Sequence, residues 1–145
     1  MAQDVCITIK STQTTDEDSD TTELFTFGTM SELDDGYVIE YEESEATGFE
    51  GSKVSLEVKK DVVTMLRTGT ALSTLVIEKG KKHHCHYGTP FGNFLVGIST
   101  DEIETSLNKN GGNIKLSYTI DINSGFISKN EMEIEIKPSK EERTN

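Results

Sequence analysis

The chain has 145 residues, a net charge of −12 from 26 acidic against 14 basic side chains, and a hydrophobic fraction of only 33%. That length suits one domain with a core of its own. The charge argues against nucleic acid and anionic membranes as partners, since both are bound through cationic side chains, and the low apolar content favours strands with one wetted face over a buried parallel sheet.

The start of the chain, residues 1–5, carries neither a basic nor an apolar leader segment, so no signal peptide is expected. No apolar run approaches the roughly 20 residues that span a bilayer. Residues 5–11 alternate with period two, and Val5, Ile7 and Ile9 share a face, which predicts a strand with one buried side. Residues 14–20 are acidic and polar and read as a solvated loop. They lack the spacing of a calcium-binding loop. Residues 22–30 predict a second strand, with Leu24 on one face and Phe25 and Phe27 on the other. Asp34-Asp35-Gly36 is a turn. Residues 37–43 place Tyr37, Ile39 and Tyr41 together. After a glycine-punctuated connection at 47–51, Val54, Leu56 and Val58 alternate inward.

Residues 62–67 follow, with Val63, Met65 and Arg67 on one face. A strand over 72–78, a turn at Gly80, a strand over 82–87, a turn over 88–92 and a strand over 94–98 come next. Ser99-Thr100-Asp101-Glu102 has the look of a helix start, although Ile103 and Leu107 are too few to make a helical stripe. Residues 113–122 turn Ile114, Leu116, Tyr118, Ile120 and Ile122 to one side. Residues 126–137 turn Phe126, Met132, Ile134 and Ile136 inward, with Ser128 and Asn130 among them. A domain over 1–137 and a polar tail over 138–145 are therefore expected. About ten strands at hairpin spacing predict an all-β, closed, up-and-down antiparallel barrel of 8–10 strands, because closure removes exposed edges.

The chemistry concentrates in residues 77–97, which hold all three histidines. In a strand, His84 and His86 face one way and His83 and Cys85 the other. Neither pair completes a tetrahedral zinc site, so no metal and no cofactor is expected. Cys85 reads as a buried structural thiol rather than a nucleophile. Cys6 and Cys85 are far apart and make no disulfide framework, which points to the cytoplasm. Gly88-Thr89-Pro90-Phe91-Gly92 lacks the lysine-serine pattern of a phosphate loop. Glu42 and Glu43 are adjacent and cannot flank one bond as a glycosidase pair does.

Arg67 is the remaining candidate. An inward arginine needs a carboxylate, and Glu40, Glu42 and Glu43 lie two strands back. It is either half of a structural ion pair or an anchor for a ligand carboxylate or phosphate. Tyr41, with an apolar body and a polar tip, suits the same opening.

Five segments carry a family resemblance. They are Ile9-Lys10-Ser11-Thr12-Gln13, Tyr41-Glu42-Glu43-Ser44 before Thr47-Gly48, Thr64-Met65-Leu66-Arg67-Thr68-Gly69, Glu78-Lys79-Gly80-Lys81-Lys82-His83 and Tyr87-Gly88-Thr89-Pro90-Phe91-Gly92. In this order they resemble the YwiB-like family, bacterial proteins of unknown function with a lipocalin-like (calycin-type) β-barrel. The resemblance spans nearly the whole chain. It implies the barrel and carries no established activity.

The leading expectation is a cytoplasmic barrel that takes a small ligand, apolar in body with an anionic end, at its mouth. Arg67, Tyr41 and Glu43 would line that mouth, with Thr89 and Phe91 of the following turn. An alternative is a protein–protein interaction module with a filled core. A third is an enzyme using the His/Cys strand, to which no catalytic residue is assigned.

Overall fold

The computed structural model describes residues 2–43, 51–69, 72–89, 92–123 and 125–139. It contains ten strands: β1 (Gln3–Thr14), β2 (Ser19–Leu33), β3 (Gly36–Glu42), β4 (Lys53–Lys59), β5 (Val62–Thr68), β6 (Ser73–Glu78), β7 (Lys82–Thr89), β8 (Gly92–Asn108), β9 (Gly111–Ile122) and β10 (Gly125–Pro138). Each pairs antiparallel with its neighbours in the chain. β1 also pairs with β10, from Val5↔Pro138 to Thr14↔Lys129, and this closes the ring. The all-β, closed up-and-down barrel expected from the alternation is the fold of this chain.

Period-two alternation builds the interior. Val5, Ile7 and Ile9 of β1, Val54, Leu56 and Val58 of β4 and Ile134 and Ile136 of β10 are all buried. Each such side chain contributes about 1.5–3 kcal/mol by leaving water. The long strands must bend to wrap this core. β2 comes close to its neighbours at Gly28, where a Cβ would collide with the Glu40 carbonyl oxygen and lie 2.9 Å from Ile7 Cδ1. A glycine at such a position lets two backbones approach.

Two expectations are corrected. Residues 99–102 start no helix: β8 runs unbroken from Gly92 to Asn108, with a bulge between Thr100 and Glu102. The polar run marks a strand that bends, since a bulge adds one residue and twists the ladder. Phe126 does not point inward. A second bulge between Phe126 and Ser128 shifts the phase of β10, so Ser128 and Met132 stay inside while Phe126 stands 44% exposed. Pro138 belongs to β10, and the buried Ser139 donates its N–H to the Asp4 carbonyl at 3.1 Å. Residues 140–145 of the expected tail lie outside the described residues, as do residues 44–50 of the connection after β3.

One neighbouring pair of strands differs from the rest. Between β6 and β7, the one register pair among the described residues is Ser73↔Tyr87.

Candidate functional site

The register lines up one inward-facing row across the barrel near one pole. Gly28 pairs with Tyr41, Tyr41 with Val54, Val54 with Arg67, Arg67 with Ser73 and Ser73 with Tyr87. Side chains from five of these six strands thus lie along one row, with Gly28 contributing backbone alone. Glu43 follows two residues after Tyr41, on the same face and one step nearer the opening. Its N–H donates to the Ser52 carbonyl at 2.9 Å, which holds this end of the chain in place.

A cavity of about 300 Å³ opens at this pole. Its apolar wall includes Leu24, Met65, Leu75 and Ile120, and its polar wall includes Arg67, Glu43, Tyr41, Tyr87 and Tyr118. The middle of the barrel, by contrast, is packed with aliphatic side chains.

Arg67 and Glu43 are 7% and 8% exposed. The Arg67 Nε donates to Glu43 Oε2 at 2.6 Å, a short charge-assisted bond. Two desolvated charges in contact compensate each other and leave the site without net charge from this pair. Burial pushes the Tyr41 hydroxyl well above the usual phenol range; the Glu43 carboxylate adds to this and Arg67 opposes it. Burial does the same to Tyr118, with Tyr87 adding and Arg67 opposing. Both phenols are therefore neutral near pH 7 and able to donate a hydrogen bond.

This gives a measurable signature. A phenol whose folded pKa lies above its unfolded value, near 10.0, supports the fold fully below that value, and that support is lost as pH climbs past it. Absorbance at tyrosinate wavelengths should show Tyr41 and Tyr118 ionising only as the protein unfolds in alkali. Tyr41→Phe and Tyr118→Phe should each remove one late-titrating group. Ionisation of all four tyrosines before any loss of β-sheet signal would contradict the burial.

Of the residues expected here, Arg67, Tyr41 and Glu43 are brought together. Phe91 lies outside the described residues, as does the Thr89 side chain; the Thr89 backbone ends β7. Sequence reasoning missed Tyr118 and Tyr87 as site residues. Tyr118 carried a signal, an inward tyrosine within an aliphatic run, but it read as core. A small polar group also went unseen: Ser128 Oγ accepts from Asn130 Nδ2 at 3.0 Å and from Gln13 Nε2 at 3.4 Å.

The histidine stretch gathers no shared site. His84 and His86 stand exposed on the outer wall, and Cys85 is buried. Burial raises the Cys85 thiol pKa, opposed by the backbone bond from Val76. That disfavours the thiolate a nucleophile needs. Among the described residues, no three His, Cys, Asp or Glu side chains are grouped to hold a metal.

A closed ten-stranded meander with a polar pocket at one pole defines a small antiparallel β-barrel protein. The chain belongs to the family described as Domain of unknown function (DUF1934), whose model matches residues 7–134. Its fold is similar to that in the crystal structure of ywiB protein from Bacillus subtilis. The TM-score is 0.84 at 19% identity, over 95% of this chain and 93% of that chain. The YwiB-like membership read from the five segments holds. No curated protein matches the chain.

Proposed function

We propose that this protein holds a small molecule in the barrel mouth. The observation that carries the reading is the cavity of about 300 Å³ with a buried Arg67–Glu43 pair in its wall. Small-molecule sites are mostly apolar hollows with a few placed polar groups, and about 300 Å³ is at the low end of their size. The ligand's apolar body packs against Leu24, Met65 and Leu75, and its head lies toward Arg67, Tyr41 and Tyr118. Arg67 alone suggested an anionic head. Glu43, in contact with the guanidinium, supports a head that both donates and accepts hydrogen bonds, because a bare anion would also meet the carboxylate.

Two probes test this: the neutral N-phenyl-1-naphthylamine and the anionic 1-anilinonaphthalene-8-sulfonate. The neutral probe should bind saturably at one per chain, at least about tenfold more tightly than the anionic one, a difference of about 1.4 kcal/mol. Thr22→Trp, at an exposed position on the cavity rim, should abolish that binding. Saturable binding that survives Thr22→Trp would place the probe elsewhere and overturn the reading. Tighter binding of the sulfonate would restore the anionic head.

A second reading, a protein-docking role, draws on Phe25 and Phe27 of β2. They stand 61% and 56% exposed on the outer wall, edge to face, with centroids 5.4 Å apart. That role needs no cavity, so blocking the mouth separates the two.

A further inference from the structure

β6 and β7 are neighbours in the ring, yet among the described residues their ladder shows one register pair, Ser73↔Tyr87. On its other side β6 pairs with β5 from Val62↔Glu78 to Arg67↔Ser73. On its other side β7 pairs with β8 from Lys82↔Ser99 to Thr89↔Gly92. Each strand has a longer register with its outer neighbour than with the other.

Side chains occupy the place of the missing ladder. The Val76 N–H donates to Cys85 Sγ at 3.3 Å, where a carbonyl oxygen would ordinarily accept. Thiol sulfur is a weak acceptor. Nearer the turn, His83 Nε2 and Glu78 Oε1 are 2.9 Å apart, with both side chains partly exposed. Such a contact is screened by water and holds little. The turn contains Gly80 at φ 77° and is closed by the Lys81 N–H donating to the Glu78 carbonyl at 3.1 Å, so the two strands stay hinged there while the rest of the seam has few ties. Behind the seam, Leu75 of β6 and Tyr87 of β7 both form wall of the mouth cavity.

We propose that the barrel wall parts between β6 and β7 in a local opening short of unfolding, which exposes Cys85 and gives sideways access to the mouth cavity. Elements with few backbone hydrogen bonds open at lower free energy than the whole fold. Passage of a ligand through this gap rests on the small-molecule reading above; the opening itself does not.

Cys85 is a built-in reporter, since it is 5% exposed and must be uncovered to react. Cys6 is replaced by serine to leave one thiol, and Cys85 is alkylated with iodoacetamide in increasing urea. The labelling rate should be flat at low urea. Without urea it should exceed the rate set by global unfolding by about 100-fold or more. A second arm staples the seam. Thr74 and His86 are both exposed and lie one residue along from Ser73↔Tyr87. Thr74→Cys with His86→Cys, oxidised to a disulfide, should slow Cys85 labelling at least about tenfold by closing the gap. The matched Thr74→Ser with His86→Ser chain should label like the parent. Labelling that follows the full urea dependence of unfolding from zero denaturant, or that ignores the staple, would overturn the opening. No ligand is added, so this result and the probe-binding result fail separately.

Discussion

Arg67→Ala should lower the folding free energy by about 3–5 kcal/mol, the usual effect of removing one partner of a buried ion pair. The loss comes from Glu43, not from the absent arginine. Its carboxylate stays in a site where it is 8% exposed, now without the guanidinium at 2.6 Å. Removing both charges tests this. Arg67→Met with Glu43→Leu should be close to neutral, because apolar side chains of similar volume replace a buried pair with little net change. Urea unfolding of the parent, the single variant and the double variant measures both effects. A loss below about 1 kcal/mol for Arg67→Ala, the level of an exposed pair, would mean that Arg67 serves a ligand rather than the fold.

Leu56→Ala should cost about 2–5 kcal/mol, the range for truncating a buried leucine. Leu56 is 1% exposed and stands between Ile39 of β3 and Met65 of β5 in the inward row. The neighbouring strands are tied to the ring on their far sides, so they cannot close in on the space left behind. Its neighbour Glu57 faces out, and Glu57→Ala should change stability by no more than about 0.5 kcal/mol. Thermal or urea unfolding of the two variants side by side would expose the contrast. A larger loss for Glu57→Ala than for Leu56→Ala would mean that the inward and outward assignments of β4 are exchanged.

The strands were legible because alternation is local: Val54, Leu56 and Val58 announce their face within seven residues. Bulges are not local. Nothing near Phe126 says that β10 gains a residue there, because the extra residue is defined against β9 across the ladder. The helix-like look of residues 99–102 came from the same blindness, since a polar interruption in one strand reads like a cap until its partner is known. Arg67 and Tyr41 could be picked out singly, as polar groups closing apolar faces. That Tyr87 and Tyr118 join them depends on register across several strands, which no single segment encodes. The weak β6–β7 ladder was hidden for the same reason: both strands alternate normally, and the turn at Gly80 reads like any tight hairpin.

The pairing of β1 with β10 sets a schedule for protein synthesis. Val5 finds Pro138 only after the eight strands between β1 and β10 have been made. Translation at roughly 5–20 residues per second leaves the first strand waiting on the order of ten seconds for its last partner. Through that interval one side of β1 is an unsatisfied template on a nascent chain, open to any passing strand. Ribosomes that stall or stop before β10 therefore release a chain that cannot finish itself. Such a fragment keeps the open side of β1 exposed, the kind of unpaired edge that chaperones and proteases act on.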